Sequence, residues 1–345
     1  MAKMDAVVLR EHGGPEVLTY ESIDKPEPGA RDVRVAIKAV AMNHLDLWVR
    51  RGSPAFHLEY PHRLGADISG VVDAVGAEVE GLEVGQKVVV NPGISCGHCK
   101  RCLAGDDNLC RDYGILGEHG HGGYAQFIVV PRQNIAPFPG ELSFEKAAAG
   151  LLTFMTSWQM LVKKARIEPG QLILVHGAGS GVGVAALQIA RLFNCRVIAT
   201  AGTDAKLEKA KELGAEFTIN YREADFVAEV KAITKKAGVD VVFEHVGGET
   251  FAKSIKVTRN GGRIVTCGAT SGFKPAIDLR HVFFRQIEIL GSTMGSKADL
   301  LQVLEHIAAG HFDPIVHEVL PLRDAAKGHV ILEERKAFGK VVLTP

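Results

Sequence analysis

Residues 172–176, Leu-Ile-Leu-Val-His, run straight into Gly177-Ala178-Gly179-Ser180-Gly181-Val182-Gly183 and then into the apolar stretch 184–193. A strand, a glycine turn and a helix in that order leave few folds open. Glycine permits the tight turn and brings the backbone close to a ligand, and the helix N-terminus behind it attracts a pyrophosphate. The surroundings agree with this. Apolar strand-like runs at 172–176, 196–199, 217–220, 239–243, 263–267 and 287–290 alternate with helical stretches near 183–193, 206–213, 225–234, 250–256 and 298–309. Six strands with helices between them predict an α/β unit built on a doubly wound parallel sheet. Gly177, Gly179, Ser180, Gly181 and Val182 are then the residues expected at a dinucleotide.

The second strand bears on which dinucleotide. An NAD site places Asp or Glu at its end, about 20 residues past the turn, to bind the ribose 2′-hydroxyl. The residue there is Ala201, and small Gly202 and Thr203 follow it. They leave room for a phosphate, and Lys206 offers it a charge, which favours NADPH over NADH. Asp204 argues the other way unless its side chain turns to solvent.

The flanking segments read differently. The first ~150 residues hold short strands bounded by Gly, Pro, Asp or Asn, and the last ~45 return to that texture. A β-rich domain split around the α/β unit is therefore expected. Its boundaries are 1–154 plus 297–345, with 155–296 as the inserted unit. Lys and Arg together number 40, as do Asp and Glu, so the net charge is zero. That balance gives no electrostatic basis for nucleic-acid binding. No apolar run approaches the ~20 residues of a membrane span, and the N-terminus carries no signal-peptide pattern. A cytoplasmic protein with a small-molecule substrate is the expectation.

Four of the six cysteines fall close together, Cys96, Cys99, Cys102 and Cys110, as C-x2-C-x2-C-x7-C. Without a secretion signal such a cluster reads as metal ligands rather than disulfides. Two-residue gaps let thiolates converge on one ion, and zinc takes four sulfurs tetrahedrally at ~2.3 Å. With no position open, the expected zinc, one per chain in a lobe at about 92–112, is structural. An iron–sulfur cluster is the competing use, but the three-residue gap and the Pro of the bacterial ferredoxin run are missing. Cys195 and Cys267 sit in apolar surroundings and read as small hydrophobes.

Taken together, these features resemble the medium-chain dehydrogenase/reductase superfamily over nearly the whole chain. The resemblance implies a GroES-like catalytic domain split around an inserted Rossmann domain, with all four cysteines matching the family's structural-zinc lobe. The segments VHGAGSGVGVAALQIA, INYREADF and GGRIVTCGA look most like the quinone oxidoreductase and enoyl reductase branch. That branch implies that Thr203, Lys206 and Tyr221 line the adenosine 2′-phosphate. It also places Cys267 and Gly268 at the cofactor and Thr156 beside the nicotinamide.

Comparison with the family's zinc alcohol dehydrogenases implies an altered reacting end. Their catalytic Cys, His and third ligand fall here on Asn43, Ala66 and Leu152 or Thr153, and their relay hydroxyl on Leu45. Zinc cannot hold a catalytic geometry on such a set. Reducing an activated C=C, or a quinone, survives this loss, because a held enolate oxygen replaces the Lewis acid. Asn43 is expected to orient substrate or nicotinamide. His44 is a candidate proton donor, with His119, His121 and water as alternatives. His44, Asp46, His62 and Asp67 could instead rebuild a metal site, which would make the chain an alcohol dehydrogenase. A third reading is an NADPH-binding protein without catalysis. Trp48, Phe56, His57 and Phe283 suggest an apolar substrate pocket. The family's edge-to-edge pairing around 287–294 implies a homodimer, with a homotetramer as the alternative.

Overall fold

The computed structural model describes residues 2–53 and 57–345. Phe56 thus lies outside the described residues. The chain forms two compact units, Met1–Leu152 with Ser296–Pro345, and Thr153–Gly295.

The second unit is a six-stranded sheet. Its strands, in chain order, are Leu172–Val175, Arg196–Ala201, Phe217–Asn220, Val239–Glu244, Thr258–Thr266 and Glu288–Gly291. Every pairing is parallel. In space the order is third, second, first, fourth, fifth, sixth, the doubly wound arrangement whose switch point lies beside the first strand. Leu174, Ile198, Val242 and Ile264 are fully buried, as strands covered on both faces require. The helices begin where short polar side chains cap them. Ser180 accepts from the Gly183 N–H at 3.0 Å ahead of Gly181–Leu192, and Asp225 does the same for Phe226–Ile233.

The first unit is organised by the strand Asp32–Ala41. It pairs antiparallel with Asp67–Val75, with Phe127–Pro131 and with Lys340–Thr344. The chain's last strand therefore completes a sheet begun near its start, which is the split GroES-like architecture. Register then sets one buried corner. Ala41 faces both Asp67 and Val342, so Asn43, Asp67 and Lys340 meet just past that rung. Two helices interrupt stretches read only as loop or strand, His44–Arg51 and Ala325–Glu333. Among the described residues no helix is long and apolar enough to cross a membrane.

Candidate active site and metal centre

The four clustered cysteines converge. Gly97 and Gly105, at φ +78° and +81°, turn the backbone where a side chain would be strained. The Sγ atoms of Cys96–Cys102, Cys99–Cys102, Cys99–Cys110 and Cys96–Cys110 lie 3.8, 3.6, 3.8 and 3.6 Å apart. A tetrahedron of sulfurs ~2.3 Å from zinc has edges of ~3.8 Å, so this set fits that ion. Buried Asp107 ties the lobe to its own unit by accepting from the Lys297 N–H at 2.8 Å. Cys195 and Cys267 stand apart, half-buried. The Cys195 thiol donates to the Glu168 carbonyl, and burial pushes the Cys267 thiol up to about 12.

The expected catalytic residues are arranged differently. Asn43 is the N-cap of His44–Arg51, and Asp46 closes a capping box by accepting from the Asn43 N–H at 2.7 Å. The other oxygen of Asp46 accepts from the Gly65 N–H at 2.9 Å. The Asn43 amide donates to Asp67 at 2.9 Å and accepts from Lys340 Nζ. Lys340 also pairs with Asp67 at 3.0 Å, and Asp67 accepts from the Leu152 N–H at 2.8 Å. Asn43, Asp46, Asp67 and Lys340 are all buried. Asn43 braces this buried network, and Asp46 and Asp67 each accept from protein donors through both oxygens. His44, Asp46, His62 and Asp67 do not assemble as a ligand set. Among the described residues, only the four cysteines form a metal-competent group. Sequence reasoning missed Lys340, whose partners lie 297 and 273 positions away.

Burial pushes the Asp46 carboxyl up to about 6, against the lowering effect of the Asn43 and Gly65 N–H groups and of Lys340; Asp67 adds to the rise. The folded value thus exceeds the unfolded ~3.9, and the folded chain holds the proton more tightly between them. The resulting stability is fully present below about pH 4 and is lost as pH rises through about 6, an effect of about 3 kcal/mol. Asp46→Asn removes this titration. The stability of wild type relative to the variant, measured in urea, is expected to fall by about that amount between pH 4 and 7. A difference independent of pH would contradict it.

His44 is half-buried, with its ring edge-on to Trp48 at 5.4 Å. His119 Nδ1 accepts from the Ile115 N–H at 3.2 Å. His121 is exposed and packs against His62 at 5.6 Å. His57 and Phe283 are exposed.

In the second unit the cofactor candidates sit where strands end. Gly177 has φ +57°, and a Cβ on Gly183 would lie 2.5 Å from the Gly177 carbonyl, so only glycine allows the turn to close on its helix. The Val182 carbonyl accepts from Ser157 Oγ at 3.0 Å. Thr156 Oγ1 is buried without a hydrogen-bond partner, a hydroxyl left over for a ligand. Cys267 and Gly268 follow the fifth strand, half-buried. Thr203 is the N-cap of Asp204–Glu212, and its side chain makes no capping bond. Asp204 accepts from Asn220 Nδ2 at 3.0 Å. A Cβ on Gly202 would lie 2.7 Å from Tyr221 Oη and 3.1 Å from Arg222 Nε. Arg222 is a cation that sequence reasoning passed over. Its signal was its place directly after Tyr221 at the end of the third strand.

Two family patterns match the chain, "alcohol dehydrogenase GroES-like domain" over residues 29–140 and "zinc-binding dehydrogenase" over residues 181–309. A quinone oxidoreductase of Homo sapiens is 28% identical, over 99% of this chain and 97% of its own. A crystal structure described as an NAD-dependent alcohol dehydrogenase superposes with a TM-score of 0.95 at 56% identity, covering 99% of this chain and 100% of that one. A crotonyl-CoA carboxylase/reductase superposes at 0.92 with 30% identity, covering 99% and 88%.

Proposed function

The chain belongs to the medium-chain dehydrogenase/reductase superfamily and is an oxidoreductase enzyme, and we propose that it is an NADPH-dependent reductase of an activated C=C or a quinone that works without a catalytic zinc. One observation carries this reading. The corner where zinc alcohol dehydrogenases of the family ligate their catalytic ion offers here an amide already engaged, a methyl group and a carboxylate ion-paired to buried Lys340. Zinc needs N, S or O donors with free lone pairs. The residues present do not fit it.

The cysteine lobe fits a structural zinc, held by Cys96, Cys99, Cys102 and Cys110. The glycine turn and the orphaned Thr156 hydroxyl fit a dinucleotide, and NADPH supplies the hydride when bound. The chain's part is to orient substrate, stabilise the enolate or quinol oxygen with N–H or O–H donors, and return a proton. His44, the first residue of the helix that Asn43 caps, is the donor we assign, because an imidazole can both give and take a proton. The crotonyl-CoA carboxylase/reductase and quinone oxidoreductase relatives support an enoyl thioester, enone or quinone as substrate.

NADPH is supported by the adenosine end. No acid closes the second strand, Asp204 is engaged by Asn220, and Tyr221 and Arg222 lie against Gly202, next in the chain to Thr203 and four residues before Lys206. Lys206→Glu is expected to raise the KM for NADPH by about 10–100-fold, the worth of one charged hydrogen bond. With NADH the change should stay within about threefold. Equal effects on both cofactors would refute the 2′-phosphate assignment. We also expect a homodimer. The sixth strand leaves one edge of the sheet unpaired, and Phe273, Leu279, Phe283 and Phe284 are exposed nearby in the chain.

A second reading, NAD-dependent alcohol oxidation, is favoured by the name of the 56% identical structure. One experiment separates the two. Zinc is counted on metal-washed protein, and turnover is then measured with both cofactors against enones, enoyl thioesters, quinones and alcohols. One zinc per chain with NADPH-driven reduction supports the first reading. Two zincs with chelator-sensitive alcohol oxidation overturns it.

A further inference from the structure

Buried cations in this chain have visible partners. Arg50 donates to the Gly13 carbonyl and pairs with Glu333. Lys340 pairs with Asp67, and Arg263 donates to the Ala165 and Arg166 carbonyls. Arg285, half-buried, donates to the carbonyls of Thr258 and Ile255. Arg63, also half-buried, departs from this pattern. Its Nε is buried and has no hydrogen-bond partner. Among the described residues no carboxylate forms an ion pair with it. Its surroundings are cationic or neutral. His62 precedes it, and His121 packs on His62 with ring centroids 5.6 Å apart. His12 Nδ1 lies 3.0 Å from the Val49 carbonyl.

Desolvating a guanidinium without a counter-charge is costly. The penalty shows in Arg63 itself, lowered to about 10 by burial alone, and in His121, lowered by burial and then by Arg63 and His62. Backbone fixes the group in place. The Arg63 carbonyl accepts from the Gly122 N–H at 2.8 Å, and His62 Nε2 donates to the Gly117 carbonyl at 3.0 Å. The 62–65 segment and the 117–123 loop are thus tied together through backbone and through the His62 ring. Three residues separate Arg63 from Ala66, at most ~11 Å of extended chain.

We propose that Arg63, flanked by His62 and His121, is a binding subsite for a carboxylate carried by the substrate. A guanidinium offers a planar fork that matches a carboxylate through two parallel N–H donors, and an approaching anion would supply the missing counter-charge. The inference rests on the reductase reading only for which molecule brings the carboxylate. It narrows that reading to acidic substrates over neutral ones of the same size.

The test needs no turnover. Succinate and inorganic phosphate are titrated into the full chain by calorimetry at constant ionic strength, with wild type, Arg63→Met and Arg63→Lys. Succinate is expected to bind wild type, and to bind Arg63→Met at least about tenfold more weakly, without a loss of melting temperature in that variant. Arg63→Lys keeps the charge but not the fork, and should weaken succinate about three- to tenfold. If Arg63→Met does not fold, the lysine variant decides. Unchanged succinate binding in the variants, or none in wild type, overturns the subsite. Tighter phosphate than succinate overturns the carboxylate assignment. Should the substrate screen fail while succinate binding still depends on Arg63, the reductase reading falls and the subsite stands.

Discussion

Replacing Cys110 by serine is expected to abolish zinc retention and unfold the lobe around it, while leaving the cofactor unit intact. The lobe has little else to hold it. Leu103 and Leu109 are 77% and 49% exposed, and the helix Lys100–Leu103 is a single turn with no buried residue. A segment that buries so little apolar surface cannot offset the entropy of ordering its chain. Metal ligation can, since structural zinc contributes about 10–16 kcal/mol in isolated zinc-finger peptides. Serine is a poor zinc ligand at neutral pH, and the remaining three thiols would leave the tetrahedron open. The measurements are zinc per chain and the rate of tryptic cleavage at Lys100, Arg101 and Arg111. Cleavage should rise at least about tenfold once the lobe opens. Cofactor affinity should change little, since the glycine turn and its helix belong to the other unit. Full zinc content with unchanged proteolysis would contradict the assignment.

The lobe was legible in the sequence because its ligands are local. Four cysteines within one short segment announce a metal without any knowledge of the rest of the fold. The parallel sheet was legible for a related reason. Its inner strands are buried on both faces, so they read as continuous apolar runs, and the glycine turn marks which comes first. The reacting corner was not legible. Position 43 could be compared with a ligand position in relatives, but nothing local says that Asn43 receives a lysine from the last strand. That contact is made by register, through Ala41 opposite both Asp67 and Val342. One local signal was available and went unread. Asn43 followed three residues later by Asp46 is the sequence mark of a capped helix. It shows that the Asp46 carboxylate is committed to a backbone N–H and is not available as a ligand. Arg222 was overlooked because attention to the end of the second strand left out the end of the third, which lies beside it.

Lys340→Met is expected to destabilise the first unit by about 3–5 kcal/mol, because it leaves the Asp67 carboxylate buried without its cation. Lys340 and Asp67 are 4% and 0% exposed, so water cannot take over the missing partner. Asp67→Leu alone should be comparably costly. It strands the Lys340 ammonium and also frees the Leu152 N–H. The double variant discriminates. With both charges gone, the desolvation penalty goes too, and what remains is the Leu152 N–H and the Asn43 amide left without these partners, each worth about 1–3 kcal/mol. The double variant should therefore be more stable than either single one, with a coupling energy of about 3 kcal/mol or more in the cycle. Urea denaturation of the four proteins reads this directly. Additive losses would mean that the two side chains do not share a network, and the account of a filled metal corner would fail with it. Activity should behave differently from stability. Asn43 caps the helix that begins at His44, the assigned proton donor, and would still lack both the acceptor and the donor that fix its amide, so the double variant should fold well and yet stay catalytically impaired. Recovery of folding without recovery of turnover is the outcome that identifies Lys340 and Asp67 as positioning residues rather than as a structural brace alone.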